Sequence, residues 1–196
     1  MKYKGWILAG FFAGLTVVGT FLRIPFPFVP LTLQVLIVLL AGFMLGPKYG
    51  MLSQVLYLIL GLAGLPVFSS GGGLGSVFSP TFGYLLSYPA TAWIVGRISM
   101  KEDRGVLRFA LAACAGITMI HLLGASVLYL NLNYLAGKNL GVYQVLKIGV
   151  LPFLLPDLLK GGVAALVALK TRPLLGLSGA DLRRTSFHGK LTREKP

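Results

Sequence analysis

Asp157 and Lys160 stand three residues apart inside the apolar run LPFLLPDLLKGGVAALVAL. Of the five acidic residues in the chain, Asp157 alone lies within such a stretch. On a helix, positions i and i+3 share a face, so the carboxylate and the ammonium point the same way. Either charge at the centre of a bilayer costs roughly 2.5–3.5 kcal/mol. A carboxylate accepts N–H donors and an ammonium donates to anions. The pair therefore points to a site for a small polar or zwitterion-like ligand. A structural reading stands beside it. Pro152 and Pro156 interrupt the run, and a helix beginning near Pro156 places Asp157 in its first turn, where the helix dipole favours an anion. Lys160 is then its salt-bridge partner.

Further polar residues could join such a site. Ser79, Thr81 and Tyr84 lie just before or on one face of a predicted helix, where their hydroxyls could bond a ligand. Tyr84 could equally be an interfacial aromatic anchor. Gln34 is a polar side chain early in another predicted helix, suited either to a ligand or to an interhelical hydrogen bond. The run GGGLG at Gly71 to Gly75 lacks the Lys-Ser/Thr ending of a phosphate-binding loop, and reads as a hinge or a lid. Ala9 and Ala13, four residues apart, form a small-residue face for internal packing or for a partner helix. His121 stands without a neighbouring metal-type ligand and reads as an interior or interhelical residue. With no nucleophile–base pair and no metal-ligand spacing, the chain is not read as an enzyme.

The elements that must hold these residues are membrane helices. The chain has 196 residues, 56% of them hydrophobic, with only 12% charged; globular proteins carry about 25% charged residues. Several runs reach the ~17–25 apolar residues that span hydrocarbon. The fold class is all-α: one polytopic membrane domain with six transmembrane helices. Their expected ranges are 5–22, 31–45, 49–65, 81–96, 107–130 and 144–169, with a kink at Pro89. The proline segment RIPFPFVP (23–30), a short turn at 46–48, and a Gly/Ser loop (66–80) connect the earlier helices. The membrane domain is assigned to 1–170 and a basic tail to 171–196. The basic N-terminus followed by an apolar run without an Ala-x-Ala-like site reads as a retained helix rather than a signal peptide.

Charge sets the orientation. Lys2, Lys4, Lys48, Arg97, Lys101, Arg104, Arg108 and seven basic residues from Lys170 onward fall on one side, and only Arg23 and Lys138 on the other. That asymmetry places both termini in the cytoplasm. The net charge of +13 is thereby assigned to topology and lipid headgroups rather than to nucleic acid. Asp157 then sits about 20 Å from the cytoplasmic edge at Lys170, toward the outer leaflet. The proline segment, the Gly/Ser loop and the start of the fourth helix face the same side. Cys114 cannot pair within the chain and is expected as a small interior residue.

The segments VPLTLQVLIVLLAGFMLGPKYGMLSQVLYLILGLAGLPVF (29–68) and LPDLLKG (155–161) resemble the BioY family, the biotin-binding S components of energy-coupling factor (ECF) vitamin transporters. The resemblance runs from the first helix through the sixth. It implies a high-affinity, non-enzymatic biotin-binding subunit in the plasma membrane of a prokaryote, with biotin as transported ligand and no cofactor. It implies as partners a transmembrane coupling protein and two ATPase subunits. Ala9 and Ala13 match the family's Ala-x-x-x-Ala motif toward the coupling protein, and Asp157 and Lys160 match the polar pair associated with biotin. SPTFGY stands here where the family pattern is like GPTGGY, so Ser79 and Phe82 replace glycines. Two alternatives stay open: an S component for another vitamin, and a stand-alone proton-coupled carrier with Asp157 cycling its proton.

Overall fold

The computed structural model describes residues 3–100 and 105–174. Its element order is α1 (Lys4–Phe21), β1 (Arg23–Ile24), β2 (Leu31–Thr32), α2 (Gln34–Leu62), α3 (Phe82–Ser99), α4 (Val106–Leu130), α5 (Val142–Gly149) and α6 (Leu151–Leu174). A 3-10 turn at Leu74–Phe78 precedes α3, and one π-helical turn at Asn131–Leu135 extends α4. Among the described residues, four stretches are long and apolar enough to cross a membrane: Lys4–Phe21, Gln34–Leu62, Val106–Leu135 and Leu151–Arg172.

A straight helix with the 29 residues of α2 would reach about 43 Å, well beyond the ~30 Å hydrocarbon core. It is not straight. Gly46 has φ 76° and ψ −175°, a conformation open essentially to glycine alone. Pro47 follows and cannot donate the helical hydrogen bond. The chain doubles back there, and Gly50 comes to rest on Ala41, so close that a Cβ on Gly50 would lie 2.9 Å from the Ala41 carbonyl oxygen. Gln34 Nε2 donates to the Tyr57 hydroxyl at 2.7 Å, although a straight helix would hold these residues about 34 Å apart. The arms 34–45 and 47–62 thus form a helical hairpin.

Around this hairpin, α2 packs on α1, α3 and α6, and α4 packs on α3 and α6. The short α5 lies against α4 and α6. The core runs through Val38, Leu39, Phe43, Tyr57, Val95, Ile120 and Leu128. Phe43 stacks on Phe109 with centroids 5.1 Å apart. Arg172 lies over the Phe109 ring and donates to the Ser99 carbonyl at 3.2 Å.

Several expected boundaries change. The proline segment carries a two-residue antiparallel pairing, Arg23 with Thr32 and Ile24 with Leu31. The first arm of α2 starts at Gln34 rather than 31, and the second ends at Leu62 rather than 65. Helix α3 runs through Pro89 to Ser99, three residues past its expected end. The expected last helix, 144–169, is two helices with a break at Val150, where φ is −121° and ψ −56°. Because α6 starts at Leu151, Asp157 lies beyond the first turn, which holds no acidic residue. The dipole explanation for Asp157 is therefore withdrawn. Helix α6 also runs to Leu174, past the assigned domain end at 170, while positions 175–196 of the tail lie outside the described residues. Cys114 is exposed on α4 rather than interior, since a lipid-facing surface is as apolar as a core.

Gly46→Ala is expected to cost about 1–3 kcal/mol, because it forces a side chain into a glycine-only conformation. It should lower the unfolding temperature of the detergent-solubilised protein. Gly10→Ala, where an added Cβ meets nothing within 4 Å, should leave that temperature unchanged or raise it, since alanine favours the helix. An unchanged temperature for Gly46→Ala would show that the fold-back does not depend on this glycine.

Candidate functional site

Asp157 is 3% exposed and is held from two sides. Its Oδ1 accepts from Lys160 Nζ at 2.8 Å. Its Oδ2 lies 3.2 Å from His121 Nε2 on α4. The histidine contact is short in distance but poorly aligned, so neither nitrogen of His121 makes a hydrogen bond. The close approach of α6 to α4 has a simple cause. Gly161 shares the face of Asp157 one turn later, and a Cβ there would lie 3.3 Å from the Ala113 Cβ and 2.9 Å from Ile117 Cδ1. The missing side chain lets α6 settle against α4 and brings the carboxylate to the imidazole.

These groups border a small cavity of about 40 Å³. Val29 and Pro30 from the proline segment, Ser69 from the Gly/Ser loop, and Thr81 and Tyr84 from the start of α3 all line it with Asp157 and Lys160. Leu31, Val35, Leu85, Ile120 and Phe153 supply an apolar wall. Phe153 is braced edge-to-face by Phe26, with centroids 5.7 Å apart, and Arg23 hydrogen-bonds the Ser69 carbonyl, tying the proline segment to the Gly/Ser loop. One polar end beside an apolar wall suits an amphipathic ligand with a small hydrogen-bonding head.

The sequence-derived candidates fall into distinct places. Asp157, Lys160, Thr81, Tyr84 and Gln34 all line the cavity. Gln34, however, is already engaged. Its Nε2 donates to Tyr57, and its Oε1 accepts from Thr32 Oγ1 at 3.0 Å and Tyr88 Oη at 3.3 Å. Tyr57 in turn donates to the Val67 carbonyl at 3.1 Å and meets Thr20 Oγ1 at 3.2 Å. Gln34 thus knots α1, both arms of α2 and α3 behind the cavity. The Tyr84 hydroxyl donates to the Gly149 carbonyl at 2.7 Å, at the α5–α6 break. Ser79 is not on the wall; it meets Thr81 Oγ1 at 2.9 Å and holds that side chain in place.

Ala9 and Ala13 are 0% and 2% exposed and face the interior on the side of α1 that packs on α2. The small residues that α1 leaves open are Gly10 and Gly14. A stripe read four residues apart fits either face, because each alanine is followed directly by a glycine. His121 is the residue that sequence reasoning placed in the interior without a role. It is interior, yet it borders the cavity and the carboxylate. The available signal was depth: His121 and Asp157 are both polar residues far from the ends of apolar helices.

Apolar helices packed around a small cavity lined by a carboxylate and an ammonium fit a membrane protein of the substrate-binding kind. Residues 1–176 match the BioY family, and the chain belongs to that family. It is 37% identical over 163 residues to the probable biotin transporter BioY of Lysinibacillus sphaericus, covering 83% of each chain. It is 37% identical over 169 residues to the biotin transporter BioY of Thermotoga maritima, covering 86% of this chain and 95% of that one. Among solved structures it is similar to the S-component for biotin from an ECF-type ABC transporter, with 26% identity, a TM-score of 0.76, and coverage of 88% and 92%. These relatives are transport proteins, not enzymes.

Tyr84→Phe separates two roles for that hydroxyl. With the bond to Gly149 lost, stability should fall by about 0.5–1.5 kcal/mol in thermal unfolding, with ligand affinity changed less than threefold. Unchanged stability with a tenfold or greater loss of affinity would make Tyr84 a direct ligand partner instead.

Proposed function

We propose that this chain is the biotin-capturing S component of an ECF-type transporter in a prokaryotic plasma membrane. The observation that carries the reading is the Asp157–Lys160 pair, with its 2.8 Å contact, set at the polar end of an otherwise apolar cavity. Biotin complements it: ureido N–H groups suit a carboxylate, the carboxylate suits an ammonium, and the thioether ring and aliphatic tail suit the apolar wall. The biotin relatives support the same choice over another vitamin.

In this reading the two arms of α2 cross separately, as do α1, α3, α4 and α6. That makes six crossings with both termini in the cytoplasm, as the basic residues favour. The cavity mouth, roofed by the proline segment and the Gly/Ser loop, then faces outward. A transmembrane coupling protein and two ATPases supply the energy for reorientation. The coupling protein meets α1 along the open Gly10–Gly14 line, with Ala9 and Ala13 behind it fixing α1 on α2.

Titration calorimetry on the purified protein tests the site. Asp157→Ala and Lys160→Ala should each weaken biotin binding by the equivalent of about 2–5 kcal/mol, or roughly 30- to 3,000-fold. Asp157→Asn should lose less than Asp157→Ala, since its amide oxygen still accepts one bond. If Lys160 holds the ligand carboxylate, Lys160→Ala should also erase the preference for biotin over its methyl ester. Folded single variants that both bind like the unaltered protein would leave the pair as a structural salt bridge.

A further inference from the structure

Among the described residues, the buried side-chain polar atoms without a hydrogen bond belong to Thr91, Ser99 and His121. Only His121 borders the cavity. It is 7% exposed, and both of its ring nitrogens are without an aligned partner. Its surroundings offer little to satisfy it. Tyr84 meets it edge-to-face with centroids 6.4 Å apart, but the Tyr84 hydroxyl is committed to Gly149. Tyr88 is committed to Gln34, and Gln34 to Tyr88 and Tyr57. On its other side His121 borders a groove between α4, α5 and α6 that is mostly apolar. A buried N–H left unpaired is costly, and the cavity is where a partner can arrive.

The position of the ring indicates which partner. The Asp157 carboxylate facing Nε2 favours the tautomer with its hydrogen on that nitrogen. The site then presents an acceptor, Asp157 Oδ2, and a donor, His121 Nε2–H, side by side and 3.2 Å apart. A cyclic amide or urea presents the complementary edge, an N–H next to a C=O, with the two heavy atoms about 2.2 Å apart by standard bond lengths. We propose that His121 is a ligand-contacting residue that, together with Asp157, reads this edge. Asp157 Oδ2 accepts the ring N–H, and His121 Nε2–H donates to the ring carbonyl. Lys160 stays on the opposite carboxylate oxygen, Oδ1, and is free to serve a second polar group. The assignment rests on the biotin reading, whose ureido ring carries this edge, and it adds a residue that distinguishes a ring carbonyl from its replacements.

The test compares biotin with 2-iminobiotin, in which the ureido oxygen is replaced by a nitrogen group that donates rather than accepts. Both ligands are titrated into the full-length protein and into His121→Phe, His121→Leu and His121→Gln. Folding of each is checked by gel filtration and thermal unfolding. The Phe and Leu variants should lose about tenfold or more in affinity for biotin but no more than about twofold for 2-iminobiotin, so the preference between them narrows. His121→Gln, whose amide can donate, should keep a wider preference than either. Either folded apolar variant decides the matter. Unchanged biotin affinity, or an equal loss for both ligands, overturns the role of His121. If the unaltered protein binds neither ligand, the biotin reading falls and this assignment falls with it. If it binds biotin normally and only the variants disagree, the biotin reading stands without His121.

Discussion

A carboxylate placed deep among apolar helices must be compensated or neutralised, and the arrangement around Asp157 follows from that constraint. Lys160 compensates it from the same helix face at 2.8 Å. Gly161 lets α6 lie close enough to α4 for His121 to reach the second oxygen. Breaking a buried pair of this kind by removing one partner typically costs about 3–5 kcal/mol. The pair therefore resists change. It is also a poor use of two charges for stability alone, since apolar replacements of similar volume are often as stable, and this is what favours the proposed role in recognition.

A site of this kind needs rigid walls, and the polar web behind it provides them. Gln34, Tyr57, Tyr88, Thr20 and Thr32 exchange hydrogen bonds across α1, both arms of α2, α3 and the preceding strand. Thr16 and Gln54 repeat the device one level away, with Gln54 Nε2 donating to Thr16 Oγ1 at 3.2 Å. Interhelical hydrogen bonds in membranes are individually modest, averaging about 0.6 kcal/mol in one well-studied case. Their value here is geometric: they fix the hairpin at Gly46 and Pro47 in one register. A fixed register of the helices behind the cavity reduces the cost of ordering those walls on binding.

The helical class and the central pair were legible from the sequence because both rest on contrasts in polarity. A charged residue inside an apolar run stands out, and so do loops rich in proline and glycine. Other features were not legible, because apolar periodicity cannot distinguish lipid from core. That is why Cys114 was expected inside, and why the sequence could not tell whether Ala9 and Ala13 or Gly10 and Gly14 form the face that α1 leaves open. The start of α6 at Leu151 was missed because proline is compatible with a first helical turn at either Pro152 or Pro156. Gln34 and Tyr84 were correctly placed near the cavity, but their bonds to Tyr57 and Gly149 depend on tertiary contacts 23 and 65 residues away. The approach of His121 to Asp157 was not legible for the same reason, as the two residues lie on different helices.

The central claim is that Asp157 and Lys160 act as one ligand-seating unit. A double-mutant cycle tests it most directly, with biotin binding to the unaltered protein, Asp157→Ala, Lys160→Ala and the double variant measured by titration calorimetry. The expected result is strong coupling, on the order of 2–5 kcal/mol, with the double variant binding no more weakly than the worse single one. Losses that simply add in the double variant, or biotin affinity unchanged across the cycle, would contradict the claim.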